Sequence, residues 1–378
     1  MKLRLLALLV TAASAAAAAA EPAPAPERFA GVDLSYVNEV EGCGAQYRVG
    51  GKPRDPYELF AEAGANLVRI RLWNNPTWTS FSTEADVTRS IERAQKAGMH
   101  VLLDFHYSDD WADPQQQRIP AAWAADIGDA DKLALHVYEY TRDVLARLNE
   151  KKLLPYMVQV GNEINSQMLR APDTSGVPID WARNAKILNA GIRAVREARA
   201  ADGSSPKVML HVAQPENVEP WFAAAAAAGV RRADYIGVSY YPKWSKLDMM
   251  QAQAALTRVH KRFGTDIIVV EVSYPWTLRD SGDHAANLLG GDSLLKGYPA
   301  TLEGQNRFMN DVVKMVLGAG GVGVVYWEPA WVSSSCKTRW GTGSHWENAT
   351  LFDFTKKNEL TPAASFLRAI RAPAEKPN

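Results

Sequence analysis

Short apolar runs recur along this chain roughly every forty residues, and each stops abruptly in polar, turn-prone residues. Aliphatic and β-branched residues without solvent-facing interruptions predict buried parallel strands over Phe29–Leu34, Leu67–Leu72, His100–Phe105, Tyr156–Val160, Val208–Val212, Tyr235–Ser239, Ile267–Val272 and Gly323–Trp327. Amphipathic stretches between them predict helices, including Tyr57–Ala63, Glu84–Ala97, Lys132–Asn149, Ala182–Ala201, Asp248–Phe263 and Gln305–Leu317. Gly64, Gly98 and Gly264 supply helix stops. Strand and helix alternating in this way predict an α/β protein built as a single (β/α)8 TIM barrel. An open doubly wound sheet is the competing architecture. It is disfavoured because no glycine-rich phosphate loop follows the first strand.

The first residues do not fit this alternation. Lys2 and Arg4, the apolar run Leu5–Val10 and an alanine tract predict a signal peptide over 1–20, with cleavage after Ala20. That apolar run is far shorter than the roughly twenty residues a bilayer demands, so no membrane span is expected. Residues 21–28 form an Ala/Pro-rich spacer, 29–373 the catalytic barrel and 374–378 a tail. The expected location is therefore secreted or periplasmic. The 42 basic and 42 acidic side chains cancel, which removes any electrostatic argument for nucleic acid or an anionic membrane as partner. Twelve Trp and thirteen Tyr tilt the expectation toward sugars, whose apolar faces stack on aromatic rings.

In a barrel of this kind, chemistry sits at the C-terminal ends of the strands. The fourth run delivers Asn162 and Glu163, and the seventh delivers Glu271. Two carboxylates at one end of a barrel suit glycosidic hydrolysis, in which one acid protonates the leaving oxygen while the other attacks the anomeric carbon. The alternative is two ordinary glutamates that follow strands. Other strand ends offer Asp33, Arg69, Arg71, Trp73, Asp104, His106, Asp109, Trp111, His211, Tyr240, Tyr241, Trp244 and Trp327. His106 and His211 have a bland reading as hydrogen-bonded core groups, and neither has a second His at metal-ligand spacing. Cys43 and Cys336 fall in the loops after the first and last strands, which are neighbours in a closed barrel. In an exported protein they pair as a disulfide or remain two free thiols.

The runs Gly31–Tyr36 (GVDLSY), Val68–Asn74 (VRIRLWN), Leu102–Pro114 (LLDFHYSDDWADP), Gln159–Asn165 (QVGNEIN) and Val270–Trp276 (VEVSYPW) resemble, in order, the endo-β-1,4-galactanases of glycoside hydrolase family 53. The resemblance implies a (β/α)8 fold, retention of anomeric configuration and cleavage within the β-1,4-galactan of type I arabinogalactan. It implies Glu163 as general acid/base, Glu271 as nucleophile and Asn162 as the holder of the sugar 2-hydroxyl. Arg71 is expected to pair with Glu271, with an ion pair of no catalytic part as the alternative. Tyr240 is expected to donate to Glu271, and Trp327 to form the floor beneath the sugar. Trp73, Asp104, His106, His211 and Trp244 are further candidates for substrate contact or support. Some bacterial members hold calcium in the loop after the seventh strand, where this chain offers Asp280, Asp283, His284 and Asn287 without a complete alternating ligand set. The expectation is a monomer that needs no cofactor for chemistry, with a structural calcium left open. The rival readings are an endo-mannanase or glucanase of the same clan and a non-catalytic carbohydrate-binding barrel.

Overall fold

The structure is a computed structural model in which residues 26–172, 174, 177–282 and 285–372 are described. The expected signal peptide, most of the spacer and the tail lie outside the described residues. Eight parallel strands close into one barrel: β1 (Phe29–Asp33), β2 (Leu67–Leu72), β3 (His100–Phe105), β4 (Met157–Val160), β5 (Lys207–Ala213), β6 (Tyr235–Ser239), β7 (Asp266–Val272) and β8 (Gly323–Tyr326). The register of β1 against both β2 and β8 completes the closure. Each strand lies within a residue of its sequence-based boundary at either end.

Among the described residues, seven helices of eight residues or more cover the barrel: α1 (Pro56–Ala63), α2 (Glu84–Lys96), α3 (Ala130–Glu150), α4 (Trp181–Glu197), α5 (Pro215–Ala227), α6 (Met249–Phe263) and α7 (Leu302–Gly318). Asp55 caps α1 by accepting from the N–H groups of Tyr57 and Glu58, and Gly64 ends the helix in a left-handed conformation with φ 116°. Helix α4 stops at Glu197, short of the expected Ala201. Helix α5 was not among the sequence-based helices. Its run of alanines carries almost no polar face, and Pro220 interrupts the pattern. No helix among the described residues is long and apolar enough to cross a membrane.

Each strand faces two cores. Val68, Ile70 and Leu72 of β2 point outward into the shell between barrel and helices. Leu67 points inward, joining Phe29, Leu102, Met157, Met209, Ile268 and Val325 in a plug at the lower end of the barrel. The plug needs a small residue beside each large one. A Cβ on Gly31 would lie 2.6 Å from Val325 Cγ2, so only glycine admits that valine. Above the plug the inward positions turn polar, with Arg69, Asp104, Gln159 and His211 all buried.

Strand β7 breaks the inside-out alternation where it matters. Ile268 and Val270 face the plug, while Val269 and Val272 face the outer shell. Strict alternation would aim Glu271 outward. The register against β6 shifts between Val238↔Val269 and Ser239↔Glu271, and that against β8 between Val324↔Val269 and Tyr326↔Val272. This extra residue in β7 is a bulge, and it turns Glu271 into the barrel.

Beyond the barrel, Tyr47–Val49 and Lys52–Arg54 join Phe352–Asp353 and Glu359–Leu360 in a small four-stranded sheet. Cys43 and Cys336 are bonded as a disulfide, with Cα atoms 5.3 Å apart, and so tie the loop after β1 to the loop after β8.

Candidate active site

Arg69 is the hub of the barrel's upper end. Its Nη1 lies 2.8 Å from both Asp33 Oδ2 and Glu271 Oε1. Nη2 donates to Asp104 Oδ2 at 2.9 Å and Asn162 Oδ1 at 2.7 Å, and Nε donates to Gln159 Oε1 at 3.2 Å. A guanidinium has five N–H groups in a rigid fork, and here every one has an acceptor. The arginine beside the nucleophile candidate is therefore Arg69, not Arg71. The Arg71 side chain begins two residues nearer the cleft, where its Nε meets Ser82 Oγ at 3.2 Å and its Nη1 lies 3.6 Å from Glu328 Oε1. Tyr36, Trp73 and Trp111 surround its guanidinium, with ring centroids 4.7, 4.6 and 4.2 Å away.

The second correction lies on β6. Tyr241, not Tyr240, donates to Glu271 Oε2, at 3.1 Å. Gly237 and Ser239 face the barrel interior, so the next inward position is Tyr241. The Tyr240 hydroxyl points away and reaches Leu247 O at 3.4 Å.

Glu163 follows Gly161 with φ 44°, a left-handed conformation that costs a non-glycine residue about 1–3 kcal/mol. Glu328 and Gln214 share that strain at other strand ends of the same site, with φ 47° and 65°. Gln117 braces the Glu163 turn, its Nε2 donating to Asn162 O at 2.8 Å and Glu163 O at 3.2 Å. Glu163 Oε1 accepts from Ser239 Oγ at 2.5 Å, and Ser239 Oγ lies 2.8 Å from His211 Nε2. One oxygen of Glu163, one of Glu271 and a nitrogen of His211 fall within 4.8 Å of one another. This trio is poorly suited to a metal ion, since both His211 nitrogens have hydrogen-bond partners and Arg69 already neutralises Glu271.

Burial pushes the Glu163 carboxyl well above its ordinary range, and the negative charge of Glu271 pushes it further, against the Ser239 hydrogen bond. Burial also raises Glu271, while Arg69 and the Tyr241 hydroxyl pull it back down. Arg69 forms a direct ion pair with Glu271 and none with Glu163. A proton shared by the pair therefore resides on Glu163. Burial holds His106 and His211 below the usual imidazole value, so both are neutral. His106 Nδ1 accepts from the Ala112 N–H at 3.1 Å, which leaves its Nε2–H to donate to Asp104 Oδ2 at 3.1 Å. Burial opposes charge on Asp104, but Arg69 and His106 outweigh it and hold its carboxyl below the usual value.

These groups open into a cavity of about 800 Å³ lined by Asn162, Glu163, Glu271, Arg71, His106, Trp244 and Trp327 among others. Trp327 meets Trp346 edge-on at 4.6 Å, and both line the cavity. Trp244 stands half exposed at the rim, against Tyr241 at 5.2 Å. Trp340, on the hairpin after β8, forms another part of the wall. Asp104, His211 and Trp73 lie beneath or behind the lining. Asn162 Oδ1 accepts from Arg69 and Gln159, and its amide donates to Ala112 O at 2.8 Å, leaving one amide hydrogen for a ligand. Of the calcium candidates, Asp283 and His284 lie outside the described residues. Asp280 Oδ1 accepts from the Gly282 N–H at 2.6 Å, and Asn287 Nδ2 donates to Arg279 O at 3.4 Å.

A closed parallel barrel with two facing carboxylates in an aromatic cleft at its C-terminal end defines a barrel glycoside hydrolase. The chain belongs to glycosyl hydrolase family 53, whose family model matches residues 29–367. It is 50% identical over 343 residues to an arabinogalactan endo-β-1,4-galactanase of Cellvibrio japonicus, covering 90% of each chain. It is 35% identical to the endo-β-1,4-galactanase of Bacillus subtilis over 84% of this chain and 76% of that one. Among solved structures, the GH53 catalytic domain of Ignisphaera aggregans superposes with a TM-score of 0.81 at 31% identity, covering 92% of this chain and 98% of that chain.

Proposed function

We propose that this protein is an exported, endo-acting, retaining β-1,4-galactanase. The observation that carries the mechanism is the approach of Glu163 and Glu271 oxygens to within 4.8 Å. Retaining glycosidases place their carboxyl groups about 5–5.5 Å apart, whereas inverting enzymes leave about 6.5–9.5 Å for a water. Glu271, kept ionised by Arg69 and Tyr241, attacks the anomeric carbon. Glu163 gives its proton to the glycosidic oxygen as that C–O bond breaks. Water then attacks the same carbon, giving a proton to Glu163 and releasing Glu271. Asn162, with one amide hydrogen left free in the cavity, is assigned to hold the sugar 2-hydroxyl, and Trp327, in the cavity wall, to carry the ring. Every bond and proton moves between these groups, substrate and water, so the reaction calls for no cofactor.

The galactan assignment draws on the names of the relatives at 50% and 35% identity. Export draws on the N-terminal pattern of 1–20 and on the Cys43–Cys336 bond, which suits an oxidising compartment. The test is reducing-sugar release from linear β-1,4-galactan beside mannan, xylan and soluble cellulose derivatives, with Glu163→Gln and Glu271→Gln in parallel. Release from galactan alone, abolished by either substitution, is expected. Release from mannan or a glucan instead would discard the substrate, and release that survived either substitution would discard the mechanism.

A further inference from the structure

Glu163 has two carboxyl oxygens, and its surroundings determine which one carries the exchanged proton. Three hydrogen bonds decide it. The Glu163 backbone N–H points at His211 Nδ1 at 3.3 Å, so that nitrogen is an acceptor. Asn162 Oδ1 lies 2.9 Å from the same nitrogen but is already filled by Arg69 Nη2 at 2.7 Å and Gln159 Nε2 at 3.0 Å. Neutral imidazole with an accepting Nδ1 carries its hydrogen on Nε2. Nε2 then donates to Ser239 Oγ at 2.8 Å, and Ser239 spends its own hydrogen on Glu163 Oε1 at 2.5 Å.

We propose that Ser239 and His211 are positioning residues for Glu163, a one-way relay that keeps Oε1 an acceptor and confines the exchanged proton to Oε2. The inference rests on the acid/base role given to Glu163 above. In the first step Oε2–H passes to the glycosidic oxygen while the bond from that oxygen to the anomeric carbon breaks. In the second, water gives a proton back to Oε2 as its oxygen bonds to that carbon and the Glu271 ester breaks. Because Ser239 donates in both steps, the carboxyl turns about neither bond between them.

Other groups face this relay. Glu271 on β7, Asp113 in the loop after β3 and Arg69 on β2 act on Glu163, and Arg69, Asp104 and His106 act on His211. None of them offers Oε1 a hydrogen, so among the described residues Ser239 is the donor that sets its orientation.

The experiment compares Ser239→Ala, Ser239→Thr and His211→Gln with the parent enzyme on two substrates across pH 4–9. One substrate is galactan, whose poor leaving group needs protonation. The other is 2,4-dinitrophenyl β-galactobioside, whose leaving group does not. Loss of a charge-assisted hydrogen bond predicts a fall of about 10–100-fold in kcat/KM on galactan for Ser239→Ala, with a change under about threefold on the aryl substrate. The alkaline limb on galactan should move to higher pH, since the removed donor had favoured the carboxylate. Ser239→Thr, which keeps the hydroxyl, should recover most of the galactan activity. Equal losses on both substrates, or an unmoved galactan profile, would overturn the relay. If Ser239→Ala fails to fold, His211→Gln decides by the same comparison. Glu163→Ala run alongside separates the two readings: if it keeps galactan activity the acid/base role itself is wrong, and if it loses it while Ser239→Ala behaves as wild type, only the relay is.

Discussion

Replacing Arg69 by methionine removes the one cation shared by Asp33, Asp104 and Glu271, all of them buried. Breaking a buried ion pair from one side typically costs about 3–5 kcal/mol, because a charge is left without compensation. With unfolding entropy near 2.1 cal/mol/K per residue across residues 29–367, that cost corresponds to a fall in Tm of about 4–7 °C. The kinetic effect is more specific. Burial already pushes Glu271 up to about 7, with Arg69 the principal force pulling it down. Loss of an adjacent cation raises a carboxyl by about 1–3 pH units. The nucleophile must be ionised, so the acid limb of kcat/KM moves to higher pH by that amount, and activity at pH 6 drops roughly tenfold per unit. Arg71→Met is the comparison. Arg71 contacts Glu328 and not Glu271, so its loss leaves the limb in place, whatever it does to substrate affinity. The assay is kcat/KM on galactan from pH 4 to 9 for the three proteins, with Tm measured on the same samples. An acid limb that moves in Arg71→Met and stays fixed in Arg69→Met would refute the assignment of the two arginines.

Tyr241→Phe deletes a donor to Glu271 and should lower kcat/KM on galactan by about tenfold, while Tyr240→Phe stays near wild type; the reverse order would contradict the β6 geometry. Glu163 has a folded-state pKa raised above its ordinary 4.5, so its favourable contribution is complete below that value and is lost as pH climbs through the raised value. Glu163→Gln should therefore gain Tm over wild type as pH rises from 4 to 8, and a difference that stays constant across that range would count against it. The disulfide joins residues 293 apart in sequence, so the Cys43→Ser, Cys336→Ser double variant should lose about 2–5 kcal/mol, seen as a lower Tm. An unchanged Tm in that variant would show that the two loops hold together without the bond.

The barrel was legible because eight buried strands leave eight apolar runs, and because the carboxylates close two of them at Glu163 and Glu271. Side-chain alternation gave the face of a residue but not its height. Arg69 and Arg71 share the inward face of β2, and only the three-dimensional level of Asp33, Asp104 and Glu271 selects Arg69. Tyr241 was within reach of the sequence, since counting by twos from Gly237 through Ser239 leads to it. The same count along β7 would have turned Glu271 outward, because a bulge leaves no mark in Ile-Ile-Val-Val-Glu-Val. Gln159 was a missed signal. A polar residue in the middle of the run Met-Val-Gln-Val, buried as it is, had to have partners, and it holds Arg69, Asp104 and Asn162 together. Ser239 and His211 could be placed at strand ends, but their hydrogen-bonded chain to Glu163 joins three strands and belongs to no single stretch of sequence.

The central claim is a covalent intermediate on Glu271, and it is tested by incubating the protein with 2,4-dinitrophenyl 2-deoxy-2-fluoro-β-galactobioside and mapping the adduct by peptide mass spectrometry. The account predicts one fluoroglycosyl group on Glu271, formed more slowly in Arg69→Met and absent in Glu271→Gln. A label on another residue, or turnover of galactan with inverted configuration and no adduct, would contradict it.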